Sequence, residues 1–226
     1  MLKKKMWVAL LATAVLFLSA LAFAAMPDEQ FIDLCINGSV AEIQEALKAG
    51  AKPNAHDSQG MTALMLAASF NRRDIASLLL ERGADLEARD MFGFTTLMYT
   101  AQANPEPEII SFLLQKGANV NAKSKTDLTP LMVAANNAHT DPKVISLLLA
   151  ADADINAEDN DGFTPLIWAA ISSTPDMVSA LLKAGANPHA RERLHGKTAA
   201  DYAAGNRAFQ GLAGSMVLQS LREHAQ

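Results

Sequence analysis

Apolar residues along the chain come in short bursts bounded by turn-forming residues, and the bursts are of two alternating kinds. The first kind carries a threonine near its start: Gly60-Met-Thr-Ala-Leu-Met-Leu-Ala-Ala68, Gly93-Phe-Thr-Thr-Leu-Met-Tyr-Thr-Ala101, Asp127-Leu-Thr-Pro-Leu-Met-Val-Ala-Ala135, Asp161-Gly-Phe-Thr-Pro-Leu-Ile-Trp-Ala-Ala170 and Gly196-Lys-Thr-Ala-Ala-Asp-Tyr-Ala-Ala204. The second kind is leucine-rich, as in Leu78-Leu79-Leu80, and stops at Gly50, Gly83, Gly117, Asp152 or Gly185. Glycine after such a run supplies the left-handed residue that follows a last helical turn, so these positions mark helix C-termini. The threonines stand at or near helix starts, where their hydroxyls can take free backbone donors.

Thr62, Thr95, Thr129, Thr164 and Thr198 are separated by 33, 34, 35 and 34 positions, a nearly fixed period that makes the chain a repeat protein. From Gly50, Gly83, Gly117 and Asp152 to the next threonine the distance is always 12 residues, so the length changes fall between the two helices of a unit. The counts from Ala68, Ala101 and Ala135 to the next helix end are 15, 16 and 17, and the two longer segments hold Pro105, Pro107 and Pro142. Proline is tolerated in a turn or a first helical turn, so these insertions read as longer loops.

Laid out in this way, the sequence resembles the ankyrin-repeat family, whose unit of about 33 residues carries a T-P-L-H-x-A signature. Thr129-Pro130-Leu131 and Thr164-Pro165-Leu166 match it directly, whereas the family's histidine is replaced by Met65, Met98, Met132 or Ile167. The resemblance implies that one polar contact per repeat is lost and the fold kept. It implies an all-α repeat solenoid of antiparallel helix pairs joined by β-hairpin-like fingers, about six units including two capping units. The segments before the threonines, such as Ala84 to Gly93, are the fingers, with turn chemistry at Asp90-Met-Phe-Gly and Asp159-Asn-Asp-Gly.

The expected organisation starts with a cleaved signal peptide over residues 1–24. Three lysines, Lys3 to Lys5, precede an apolar run from Met6 to Leu18, and Ala22 and Ala24 form an A-x-A cleavage site. The alternative is an uncleaved inner-membrane anchor over residues 6–25, which carry no charge. The ankyrin-repeat domain then spans 25–226: a capping unit at 28–50, repeats at about 51–83, 84–117, 118–152 and 153–185, and a capping repeat at 186–226. In the first unit the helix Asp28 to Ile36 is followed by a capping box, Ser39 with Glu42, opening the helix Val40 to Lys48. The last unit is read as a degenerate helix from Thr198 to Ala208 and a polar-faced helix from Ser215 to His224.

Composition narrows the function classes. Without the three leader lysines the chain keeps 16 basic against 24 acidic residues, a net charge of −8, which repels phosphate backbones and argues against nucleic acid. The single cysteine, Cys35, excludes an internal disulfide and reads as a small buried residue within Phe31, Ile32, Leu34 and Cys35. No nucleophile elbow, phosphate loop or His-Glu-x-x-His is present, so no catalytic residue is assigned and the chain is read as no enzyme. His56, His139, His189, His195 and His224 fall at different phases of the repeat, and His189 with His195 is too small a set for a metal. The acids Glu158, Asp159 and Asp161 match turn positions and lack a calcium-loop spacing, so no metal and no cofactor is expected. Asn37-Gly-Ser39 fits a glycosylation sequon, which a bacterial type of leader makes a chance match.

What remains is a binding surface. In the family, partners meet the fingertips and the exposed, concave side of the first helices. Carried over by position these are Ser58, Gln59, Met61 and Phe70; Met91, Phe92, Phe94 and Gln102; Lys125, Thr126, Leu128, Asn136 and Asn137; and Asn160, Asp161, Phe163, Ile171 and Ser172. Met91, Phe92, Phe94, Leu128 and Phe163 are large apolar groups at variable positions, which makes a protein hot spot. Phe94 and Phe163 have an equal claim as braces between fingers, and Tyr99 and Trp168 read as packing residues. The resulting expectation is a periplasmic or secreted protein, monomeric alone, that binds another protein as scaffold or accessory factor of an exported enzyme. Two alternatives stay open: an inhibitor or immunity protein that occludes a toxic effector, and an enzyme or small-molecule receptor with a site built across repeats.

Overall fold

A computed structural model describes residues 26–103 and 106–223 of the chain. The expected signal peptide, the alternative anchor, Pro105 and His224 lie outside the described residues. Among the described residues twelve α-helices form six successive pairs: α1 (Asp28–Asn37) with α2 (Val40–Lys48), α3 (Ala63–Ser69) with α4 (Arg73–Glu81), α5 (Thr96–Gln102) with α6 (Pro107–Gln115), α7 (Pro130–Ala135) with α8 (Pro142–Ala150), α9 (Pro165–Ser172) with α10 (Pro175–Lys183), and α11 (Ala199–Gly205) with α12 (Leu212–Glu223). Among the described residues no strand forms, and His56 and Thr62 make an isolated antiparallel β-bridge. No helix among them is long and apolar enough to cross a membrane.

The first helices of the pairs stack on one another as an inner row, and the second helices form an outer row. Small residues allow the inner helices to approach: Ala63, Ala67, Ala101, Ala134, Ala135, Ala169, Ala170 and Ala199 are fully buried. Leucines at one phase, Leu64, Leu97, Leu131 and Leu166, fill the space between them, and Leu79, Leu113, Leu148 and Leu181 do so from the outer row. A single pair cannot bury both of its apolar faces, so the core is continuous along the stack. Cys35 belongs to this core, and burial pushes its thiol up to about 12, against the opposing charge of Arg72.

All five repeat threonines cap their helices. Their hydroxyls accept the backbone N–H of Met65, Met98, Met132, Ile167 and Asp201 at 3.2–3.5 Å. Ser39 and Glu42 close the capping box of α2, and these bonds from Ser39 hold the Glu42 carboxyl below its ordinary range. The expected loss of a polar contact with the missing histidine is only partial. The thioethers of Met65 and Met132 accept the N–H of Thr62 and Thr129 at 3.3 and 3.4 Å, and the Asp201 carboxylate accepts that of Thr198 at 2.8 Å. A thioether is a weak acceptor, yet it turns back onto the donor that the family's side chain would reach.

In three of the pairs the second helix opens on a proline, with Pro107, Pro142 and Pro175 at first-turn positions of α6, α8 and α10. The last unit departs from expectation. The helix from Thr198 breaks at Gly205, and a 3₁₀ turn, Arg207–Phe209, replaces its end, so that α12 begins at Leu212 rather than Ser215. Asn206 accounts for the break. Its side chain accepts the N–H of Ala208 and donates to the carbonyls of Ala170, Ile171 and Ser173 of the preceding unit, bonds a continuous helix would not allow.

Candidate functional site

Each finger is a four-residue turn closed by a backbone pair: Asp57 N–H to Met61, Asp90 to Phe94, Ser124 to Leu128 and Asp159 to Phe163, at 3.0–3.2 Å. The side chain at the first position clamps the turn from inside. Asp90 Oδ1 accepts the N–H of Phe92 and Phe94 at 2.9 and 2.7 Å, and Asp159 Oδ1 does the same for Asp161 and Phe163 at 3.0 and 2.8 Å. Its second oxygen is bound from the inner helix, Asp90 by the Tyr99 hydroxyl at 2.6 Å and Asp159 by Trp168 Nε1 at 3.0 Å. Finger and inner helix are thereby one rigid surface. Burial, and next the bond to Asp90, raise the Tyr99 phenol well above its ordinary value, so it stays a neutral donor. In the last finger Glu192 takes the clamping role for Leu194, His195 and Lys197. Burial opposes its ionisation, but those N–H groups outweigh it and hold its carboxyl low.

Successive fingers are tied by a backbone ladder. The N–H of Met91 reaches Gln59 O, that of Lys125 reaches Phe92 O, that of Asn160 reaches Thr126 O and that of Arg193 reaches Asp161 O, at 2.8–3.1 Å. Gly93 shows how close the fingers come: at φ +79°, a Cβ on it would lie 2.9 Å from Lys125 N. A second ladder runs behind the first, with Asn54, Asn121 and Asn156 side chains accepting the N–H of Asp85, Asp154 and Asn187 one repeat on.

Two adjoining cavities open on the finger and inner-helix face. One, of about 320 Å³, is lined by Phe94, Gln102, Leu128, Met132, Val133, Asn136, Asn137, Ala138 and Trp168. The other, of about 350 Å³, is lined by Phe92, Phe94, Tyr99, Gln102, Lys125 and Thr126. Phe94 and Gln102 are common to both, so the cavities form one groove across the units of α5, α7 and α9. Eight of the sequence-selected residues line it: Phe92, Phe94, Gln102, Lys125, Thr126, Leu128, Asn136 and Asn137. Met91 stands exposed on the same finger as Phe92. Ser58, Gln59, Met61 and Phe70 lie on the neighbouring unit, with Phe70 58% exposed, and Asn160, Asp161, Phe163, Ile171 and Ser172 lie on the far side.

The bracing question divides by residue. Phe163 stacks on Trp168 at 5.1 Å and on Tyr202 of the next unit at 5.8 Å, and packs against the core, so it is a brace. Phe94 touches Tyr99 at 5.4 Å and is open to both cavities. Tyr99 and Trp168, read as packing residues, are half-buried walls of the groove with their polar ends anchored. The signal that could have found them is the identical nine-residue offset from Asp90 to Tyr99 and from Asp159 to Trp168. Among the described residues no three of His, Cys, Asp and Glu come together as a metal-binding group; Glu158 pairs with Arg193 at 2.7 Å and Asp159 is spent on its turn.

These features define an ankyrin-type binding module, and comparison with known proteins agrees. The family model described as Ankyrin repeats (3 copies) matches residues 20–90, 97–192 and 131–213. The chain belongs to the ankyrin-repeat family. Human M-phase phosphoprotein 8 is 34% identical over 82 residues, 35% of this chain and 10% of that protein. An ankyrin repeat-containing protein of Schizosaccharomyces pombe is 36% identical over 61 residues, 27% of this chain and 30% of that protein. Glycerophosphocholine phosphodiesterase gde1 of the same yeast is 33% identical over 76 residues, 34% of this chain and only 7% of that protein. The match thus spans a minor part of each relative. Ankyrin repeats generally mediate protein–protein interaction and are typically non-catalytic.

Proposed function

We propose that this chain is an exported, periplasmic interaction module that holds a partner protein against its fingertips and inner helices, as scaffold or accessory factor of an exported enzyme. The observation that carries the reading is the groove shared by Phe94 and Gln102, where exposed Phe92 and the anchored rings of Tyr99 and Trp168 meet Lys125 and the amides of Asn136 and Asn137. Rigid aromatic groups beside adaptable amides are the composition of a protein hot spot. Export rests on the lysine-led apolar leader.

The test is capture from a periplasmic extract of the source organism by residues 25–226, with Phe92→Asp as control. One protein retained by the wild type and lost by the variant supports the reading, and its identity as an enzyme or as a toxic effector separates scaffold from inhibitor. Equal retention by both removes the groove from the interaction.

A further inference from the structure

Four of the outer helices, α4, α6, α8 and α10, carry a charged residue at their second position, with a single reversal of charge. The second residue of α4, α6 and α10 is Asp74, Glu108 and Asp176, acids favoured by the positive end of a helix. In α8 that place is held by Lys143, where the helix field opposes a cation and only the capping Asp141 offsets it. Lys143 makes no ion pair among the described residues. It stands at the rim of a furrow of about 590 Å³ between α6 and α8, on the opposite face from the fingers.

Half-buried Leu147 and the edge of the largely buried Phe112 give the furrow its apolar floor, with Arg73 of α4 at its other edge and Glu108 as its one carboxylate. Arg73 and Lys116 lie over the Phe112 ring, 5.3 and 5.6 Å from its centroid, and neither has an ion-pair partner among the described residues. Three cations with no ion-pair partner among the described residues thus stand around one apolar floor, against the single carboxylate of Glu108, in a chain dominated by acids. The furrow is open along two neighbouring nine-residue helices, a length of about 13 Å, which suits an elongated chain rather than an enclosed small molecule.

We propose that this furrow is a second docking surface, for an acidic amphipathic segment of a partner protein. A large apolar side chain of the segment covers Leu147 and the open edge of Phe112, and its carboxylates meet Arg73, Lys116 and Lys143. Charge complementarity selects the segment and apolar burial holds it.

The probe is a synthetic twelve-residue peptide of glutamates alternating with leucine and phenylalanine, set against the same peptide with lysine for every glutamate, titrated into ¹⁵N-labelled residues 25–226. The acidic peptide is expected to shift the amide signals of Ser111, Gln115 and Ser146 and to bind about tenfold or more tightly than its charge-reversed twin. Lys143→Glu should weaken it by about tenfold while raising Tm by about 1–3 °C, because the helix start regains an acid. Arg73→Gln gives a second reading, and Phe92→Asp should leave this binding unchanged. Equal affinity for both peptides, shifts confined to the finger face, or full binding by Lys143→Glu and Arg73→Gln would overturn the proposal. So would decanoate filling the furrow where the acidic peptide does not, which would make the occupant a small anionic amphiphile.

Discussion

At the scale of single residues, position in the clamp separates a ring left open to solvent, as the proposed binding requires, from one that serves the fold. Phe92 is 52% exposed and its backbone does the structural work, so Phe92→Asp should change stability by less than about 0.5 kcal/mol while abolishing partner capture. Phe163→Asp should instead cost about 2–3 kcal/mol in urea unfolding, since it strips two ring contacts and part of the core. The sequence displays Phe94 and Phe163 at equivalent places, four residues after Asp90 and Asp159, and nothing local separates these two. The difference arises from Tyr202 across the repeat junction, a contact visible only once the units are stacked. Cys35 and Tyr99 supply a pH prediction. Both have folded values raised by burial, so the stability they lend is complete below their unfolded values and is lost as pH rises through the folded ones. The urea midpoint should hold to about pH 8.5 and fall progressively toward pH 12, and thiol reagents should label Cys35 at pH 8 only as fast as the chain opens.

At the scale of elements, the helix pairs were legible because two landmarks, the capping threonine and the C-terminal glycine, bracket the inner units. The exception at the second landmark is informative. Asp152 adopts φ +64° where its counterparts Gly83 and Gly117 adopt +87° and +93°. Its Cβ is strained there and the bonds it makes are backbone ones, its N–H to Leu149 O at 3.0 Å and its carbonyl from Asn121 at 2.8 Å. Asp152→Gly should therefore stabilise the chain by about 1 kcal/mol, measurable as a higher urea midpoint at unchanged slope. The ends of the last unit were less legible. Thr198 to Ala208 has an apolar pattern suited to one helix, and the break at Asn206 depends on three carbonyls in the unit before it. The backbone ladder between fingers was hidden for the same reason: a bond between backbone groups one repeat apart leaves no residue-type signature.

At the scale of the whole molecule, the period foretold a stack but not what its two faces offer. The groove emerged from the expected fingertip set, whereas the furrow on the outer helices follows from Phe112, Leu147 and an anomalous Lys143 that only the aligned helices bring together. The stack also has ends that must be closed. α12 packs on α10 and α11 and buries Leu221 completely. Ending the chain after Gly211 should lower Tm by about 5–10 °C, read by differential scanning calorimetry, with a drop in soluble yield as the apolar ends of the last pair meet water. The backbone rungs that join finger to finger have a mechanical side as well. They couple each unit to the next and to no other, so an end-to-end pull is carried by joints in series, and a small angular give at every joint sums to a large change in span. Such a body behaves as a spring: it can match the groove to partners of unequal breadth, and under tension it should yield one joint at a time.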